Sequence, residues 1–496
     1  MNPTTPSNRS RRLRRLVAIG LAAAARRTVG LVEHGGTSLP GMLAERVDPT
    51  ILAGLAADLG RVILVVGTNG KTTTARLTAR IVGAVDGQPP IANRSGANLR
   101  QGLTSTLVAE AALRGGLRTP GRTAVFEVDE LALPAVLAAV RPAALVITNL
   151  FRDQLDRYGE VDMVIDRWRT ALSRLPASTV IVACADDPRV DRLAADSGLP
   201  TIRFGLGHES QWSSPGQSLF EQAAPAVGDP ARARAAVADP VVADPVDCPT
   251  CGRPLVFTWR SIGHLGDWAC PLDHVRRAEP DLTVQPGDGA IGPDRLRFRG
   301  AFGEAEATVH LGGASGAYDA AAAIGAAMAV GVQPAVAIRA IDGATPAFGR
   351  LEEMSIGPRR IVLALAKNPA SLTESAQVAA ARHPDGILLG LSDEPADGRD
   401  VSWIWDVDFE RLRGIPAIGL TGTRADDLAL RLKYARLPAA PAWPIVAVEP
   451  LVDRALDAML SKIRPGGTLV VLATYTALLG IRRTLERRGV VSAIPR

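Results

Sequence analysis

Lysine is scarce in this chain of 496 residues: only Lys71, Lys367, Lys433 and Lys462 occur among 56 lysines and arginines. Arginine carries the general surface duty, so each remaining lysine is a stronger than usual functional candidate. Cysteine is nearly as rare. Four in so long a chain exclude a disulfide scaffold, and the clustering of three of them points to metal rather than redox chemistry. Long apolar runs are missing too. No stretch approaches the ~20 residues of a membrane span. The formal charge of +5 suggests nucleic acid, but seven arginines (Arg9, Arg11, Arg12, Arg14, Arg15, Arg26 and Arg27) lie before residue 28, and subtracting them leaves −2. The basic tip and Leu16 to Ala25 resemble a signal peptide. That apolar run is short, is closed by Arg26-Arg27 and lacks a convincing cleavage site. The expected compartment is the cytoplasm, with a basic helix over residues 1–45 that either rests on anionic membrane lipid or ends in solvent.

The length predicts two or three domains. The β-branched run Val62 to Val66 leads into Gly67-Thr68-Asn69-Gly70-Lys71-Thr72-Thr73-Thr74 and then a helical pattern. Apolar runs at Ala124 to Phe126, Ala144 to Ile147 and Val180 to Ala183 continue the α/β rhythm of a mostly parallel, doubly wound sheet over residues 46–347. Residues 213–247, rich in Pro, Ala, Asp and Val without a period, are read as an irregular insertion. A cysteine-bearing insertion follows at 248–280. Phe348-Gly349-Arg350 reads as a hinge to a smaller α/β, Rossmann-like domain over 348–496, with strands expected at Ile361 to Leu365, Gly386 to Leu391, Val401 to Trp405, Ala417 to Leu420 and Thr468 to Leu472.

Strand, glycine loop and helix together make Gly67 to Thr73 a phosphate cradle, because backbone N–H groups and a helix N-terminus converge there. Lys71 neutralises the β/γ oxygens of ATP in this reading, and Thr72 holds Mg²⁺. Glu127, in Phe126-Glu127-Val128-Asp129-Glu130, comes off a strand's carboxyl end and is the second Mg²⁺ ligand. Cys248-Pro249-Thr250-Cys251-Gly252 is a zinc knuckle. Cys270 gives a third ligand at ribbon spacing, and the fourth is Asp273 or His274; with no open position the Zn²⁺ is structural. Cys184, at the end of an apolar strand, reads as a core residue.

GTNGKTT is the form found in Mur ligases and folylpolyglutamate synthases. With the ribbon interrupting such a centre, and with Asn149-Leu150-Phe151-Arg152-Asp153-Gln154-Leu155-Asp156-Arg157-Tyr158-Gly159, Lys367-Asn368-Pro369-Ala370, Ala396 to Asp406, Thr421-Gly422-Thr423-Arg424 and Thr474-Tyr475-Thr476, the chain resembles the MurT-like branch from about Gly35 onward. Gln154 stands where Mur ligases carry His, which puts a second metal site in doubt. Ala185-Asp186-Asp187-Pro188 matches the family's acidic pair, after which amino-acid-adding relatives use a carbamylated lysine; no lysine lies between Lys71 and Lys367. The resemblance implies nucleotide contacts by Asp319, Arg350, Lys367 and Asn368. It also implies a heterodimer with a GatD-type glutamine amidotransferase, lipid II as substrate and amidation of D-glutamate to D-isoglutamine through an acyl phosphate. No nucleic acid is expected. In such pairs the synthetase gives the amidotransferase's Cys and His an orienting carboxylate, for which Asp400 and Asp406 are the candidates. None of the six histidines is paired by motif with Cys184, so the chain has no glutaminase of its own. Two rivals remain at this point: an amino-acid-adding ligase of the Mur or folylpolyglutamate synthase kind, and a zinc-ribbon nucleic-acid ATPase, for which Trp259, Arg260, Trp268, Arg276 and Arg277 supply some basic and aromatic residues.

Overall fold

The computed structural model, which describes residues 8–29, 38–93, 96–152, 161–207, 246–287, 295–345, 352–435 and 443–491, contains two parallel-rich sheets. The central sheet contains β1 (Arg61–Val66), β2 (Ile91–Ala92), β3 (Thr123–Glu127), β4 (Ala144–Ile147), β5 (Val180–Cys184) and β6 (Thr201–Leu206). A small hairpin of β7 (Val256–Arg260) and β8 (Gly266–Ala269) stands apart before β9 (Leu282–Pro286), β10 (Arg295–Gly300) and β11 (Gly303–Thr308) complete the sheet. The nine-stranded order is β11-β10-β9-β6-β5-β4-β1-β3-β2. Only the β9-β10-β11 meander is antiparallel.

Val62 to Val66 are buried on both faces of β1. That is why the run is continuous rather than alternating: helices cover each side of a parallel sheet. Five helices matter here: α1 (Asn8–Val29), α2 (Leu39–Val47), α3 (Lys71–Asp86), α4 (Gly313–Ala329) and α5 (Pro369–Ala381). Ala18, Ile19 and Ala22 of α1 belong to the central core, so the basic N-terminal segment is packed onto the sheet it precedes. In α4, small residues from Ala320 to Ala327 are all buried and let the helix lie close over β5 and β6. Gly325 is one such contact, where a Cβ would stand 2.8 Å from Val182 Cγ1.

The second sheet is ordered β12-β13-β17-β14-β15-β16. Its strands are β12 (Glu352–Ile356), β13 (Arg359–Leu365), β14 (Gly386–Gly390), β15 (Ile418–Thr421), β16 (Ile445–Glu449) and β17 (Thr468–Ala473), all parallel but for β12. The strand expected at Val401 to Trp405 does not form. Ser402–Asp406 is a 3₁₀ helix, followed by a second at Phe409–Leu412. Its β-forming composition is overridden by packing: Val401 and Ile404, three apart, turn into the core while Trp405 stays half exposed. The hinge at Phe348 to Arg350, the motif residues Asp153 to Gly159 and nearly all of 213–247 lie outside the described residues. Among the described residues no helix is long and apolar enough to cross a membrane.

Candidate active site

The phosphate loop leaves β1 and enters α3 through two glycines with positive φ, Gly67 at 132° and Gly70 at 88°. Both are needed for space as well as conformation. A Cβ on Gly67 would meet Thr148 Oγ1 at 2.2 Å, and one on Gly70 would meet Asp319 Oδ1 at 2.1 Å. The end of β4 braces the loop: Thr68 N–H donates to Asn149 O (2.9 Å), Asn69 N–H to Asn149 Oδ1 (2.8 Å) and Thr148 Oγ1 to Asn69 O (2.7 Å). Helix α3 thus presents its N-terminus at a fixed, concave turn, which suits an anion.

Lys71 is buried. Its Nζ donates to Gly67 O and Thr68 O and pairs with both oxygens of Glu130 at 3.1 Å. Glu130 is a partner that the motif alone did not single out, since three carboxylates stand in Glu127 to Glu130. Thr72 Oγ1 donates to Glu127 Oε2 at 2.8 Å, so the two oxygen ligands expected for Mg²⁺ are already side by side. Asn93 fixes the backbone of Glu127 from both directions (2.9 Å each), and Asn98 reaches Oε1 at 3.4 Å. Thr73 Oγ1 is buried without a hydrogen-bond partner among the described residues. A buried orphan hydroxyl is costly unless a ligand oxygen meets it, and a phosphate in the cradle would do so.

From the second sheet, Lys367 Nζ donates to Thr68 O (3.1 Å) and Asn368 Nδ2 to Asn69 Oδ1 (3.0 Å), while Asn368 also caps α5. Asp319 faces Gly70 and lies 3.5 Å from Thr74 Oγ1. A cavity of about 110 Å³ opens here, lined by Asn69, Asp319 and Lys367, with Ile262, Leu265 and Glu374 on its other walls. Arg350, expected at the nucleotide, lies outside the described residues.

Ile262 and Leu265 come from the tip of the β7-β8 hairpin, so the cysteine-bearing insertion reaches the cavity. Its seat is the acidic pair after β5. Asp186 is fully buried and pairs with Arg277 at 2.7 Å, accepts Tyr318 OH at 2.6 Å and accepts Leu206 N–H at 2.9 Å. Burial pushes its carboxyl up against the pull of Arg277 and these donors. Asp187 accepts Leu150 N–H (2.8 Å) and contacts His264 Nε2 at 3.2 Å. Burial raises it, but His264 and the N–H donors outweigh that and hold it below the usual carboxylate range. Trp268 Nε1 closes the seat on Ala185 O at 3.0 Å. His264 had no signal in sequence, because a lone histidine in a hairpin shows its partner only after folding.

At the far end of the hairpin the ligand atoms of Cys248, Cys251, Cys270 and His274 all lie within 4.8 Å of one another. Cys251 Sγ and Cys270 Sγ are 3.6 Å apart, and Cys270 Sγ is 3.6 Å from His274 Nδ1. Ligands ~2.3 Å from a tetrahedral zinc stand just under ~4 Å apart, so the donor set fits the ion. Burial raises the Cys248 thiol, yet the N–H groups of Cys251 and Thr250 bring it down to about 6, which favours the thiolate a metal binds. Asp273, offered by the sequence as an alternative fourth ligand, is not brought to the cluster. It takes a left-handed φ of 60° and turns its carboxylate outward to Arg276. About one zinc per chain is expected by elemental mass spectrometry, largely lost in Cys251→Ser and His274→Ala and retained in Asp273→Ala.

Solved structures similar in fold include Mur ligases. MurF from Acinetobacter baumannii superposes with a TM-score of 0.61 at 16% identity, over 90% of this chain and 80% of that one. MurF from Thermotoga maritima in complex with ADP gives 0.59 at 12% identity, over 90% and 85%. The Mur ligase middle domain family matches residues 65–223, and the family described as MurT ligase C-terminal matches residues 365–478. Fold and site together define an ATP-dependent ligase of the Mur class, a class that uses ATP and Mg²⁺. The chain is 30% identical over 482 residues to the lipid II isoglutaminyl synthase (glutamine-hydrolyzing) subunit MurT of Staphylococcus aureus strain COL, spanning 96% of this chain and 98% of that one. The subunit MurT of Streptococcus pneumoniae is 29% identical over 462 residues, spanning 92% and 94%. This chain belongs to the MurT family.

Proposed function

We propose that the chain is the synthetase subunit that activates the α-carboxylate of D-glutamate in lipid II as an acyl phosphate and amidates it to D-isoglutamine. The supporting observation is the pairing of Thr72 with Glu127 beneath a phosphate loop that Lys367 and Asn368 close from the second sheet. Lys71 and the α3 N-terminus bind and orient the phosphates, and Thr72 and Glu127 would hold the Mg²⁺ that offsets charge developing on the transferred group. The second sheet keeps water from the centre, which protects the acyl phosphate until ammonia displaces phosphate. An amino-acid-adding reaction is disfavoured, because no lysine lies between Lys71 and Lys367 to be carbamylated.

Ammonia in this reading comes from a GatD-type glutamine amidotransferase bound as a heterodimer. The chain has no thiol suited to hydrolysing glutamine. Cys184 is fully buried and its thiol is pushed up by that burial, and the other three cysteines form the metal cluster. The reading puts the protein in the cytoplasm, at the inner face of the plasma membrane where the lipid-linked substrate lies. For the acid given to the partner's Cys-His pair, Asp400 is favoured over Asp406. Both are exposed, but Asp406 is ion-paired with Arg152 of the central domain at 3.6 Å, whereas Asp400 accepts the Ser402 N–H of its own turn at 2.8 Å. Ser402 holds the Asp400 carboxyl below its usual range, so it stays ionised as a histidine-orienting acid must. With the reconstituted pair, Asp400→Asn is expected to lower glutamine-driven amidation by about 10²-fold or more while ammonium-driven amidation persists. Unchanged glutamine hydrolysis in this variant would reject the assignment.

A further inference from the structure

Helix α1 is apolar on two sides. Ala18, Ile19 and Ala22 face the core at 0–2% exposure. On the opposite side Leu13, Val17 and Leu21 are 64%, 46% and 48% exposed. Their spacing of four puts them on one line along the helix, where a face turned to water is ordinarily polar. Exposed arginines flank that line: at ~100° per residue Arg14 lies about 60° to one side of its centre and Arg27 about 80° to the other. Arg15 points the other way and pairs with Asp48 at 3.7 Å. No Asp or Glu occurs before Glu33.

Two elements packed against α1 also expose apolar side chains. Leu113, 78% exposed, sits in a loop with Arg114 and Arg118 that leans on α1; a Cβ on Gly115 of that loop would touch Leu16 Cδ2 at 3.5 Å. Helix α2, packed along α1, exposes Leu39 and Met42 at 37% and 52%.

We propose that this face is a membrane-surface site, with α1 lying in the plane of the interface, its leucines in the acyl boundary and its arginines on anionic phospholipid headgroups. Charge selects this occupant. A second copy of the chain would set one acid-free arginine face against another, and like charges at close range repel. An outward apolar stripe with arginine rims is the pattern of a helix that lies on a bilayer rather than crossing it. Vesicles without any lipid-linked substrate suffice as the probe, so membrane binding can be read independently of the proposed reaction.

The experiment is co-sedimentation of the full chain with sucrose-loaded vesicles of phosphatidylcholine, with and without phosphatidylglycerol. Binding is expected to the phosphatidylglycerol vesicles, to weaken as salt is raised, and to fall about tenfold or more in the triple variant Leu13→Glu, Val17→Glu, Leu21→Glu. These side chains are exposed, so circular dichroism and the ammonium-driven reaction on a short-chain soluble substrate are expected to stay at the parental level. Equal pelleting of parent and triple variant, or equal binding to both vesicle types, overturns the proposal. So does a parental protein that self-associates through this face, seen as a mass that halves in the triple variant by light scattering.

Discussion

Lys71→Ala is expected to lower ATP turnover by about 10²–10³-fold or more, the scale set by removing a preorganised charge from a developing phosphoryl transition state. The fold should persist at some cost in stability, because the substitution leaves the buried Glu130 carboxylate without its ammonium partner. Lys71 Nζ is spent on two loop carbonyls and on Glu130, and none of these ties it to the hydrophobic core. Glu127→Ala is expected to reach a similar loss by another route, leaving Thr72 as a lone oxygen where two now stand 2.8 Å apart. Raised Mg²⁺ would recover part of the Glu127→Ala defect and none of the Lys71→Ala defect. Phosphate release with lipid-linked substrate and ammonium, measured across a magnesium series, separates the two roles; near-parental turnover in both variants would overturn the phosphate-loop assignment.

The largest effect on stability is expected at Arg277. Its side chain is 2% exposed and that of Asp186 is fully buried. Arg277→Met leaves the carboxylate of Asp186 with only the Tyr318 hydroxyl and the Leu206 N–H, and breaking a buried pair from one side costs about 3–5 kcal/mol. Removing both charges together, as Asp186→Asn with Arg277→Met, is expected to be less damaging than Arg277→Met alone. Denaturant unfolding followed by tryptophan fluorescence checks this, since Trp268 sits in the same seat on Ala185 O. An Arg277→Met protein as stable as the parent would show that the pair is not what holds the hairpin down.

The local parts of this molecule were legible in its sequence. A phosphate loop declares itself because the glycines, the lysine and the helix they start are contiguous, and the strand before it reads as apolar because both its faces are covered. In the second sheet β13, β14, β15 and β17 were legible for the same reason, whereas the half-exposed edge strand β16 was not. The Val401 to Trp405 segment misled because its Val, Ile and Trp residues fit a strand equally well, and only the burial of Val401 and Ile404, three apart, turns it into a 3₁₀ helix. Glu130 was hidden among equivalent carboxylates until burial chose it for Lys71. His274 and Asp273 were indistinguishable by spacing; a left-handed turn at Asp273 swings one away and leaves the other facing three sulfurs. His264 meets Asp187 across 77 positions, a separation that no local pattern encodes.

The seat of the hairpin has a consequence for how this chain can change over generations. Asp186 and Asp187 are spent on Arg277 and His264 inside the insertion, while the backbone and side chains around them belong to the sheet. A descendant that deleted the hairpin would uncover two carboxylates in the core at a single stroke, and one that first neutralised the carboxylates would strand a guanidinium. Loss of the insertion therefore has no easy first step, so the hairpin and the aspartates that receive it are expected to be inherited, or abandoned, together.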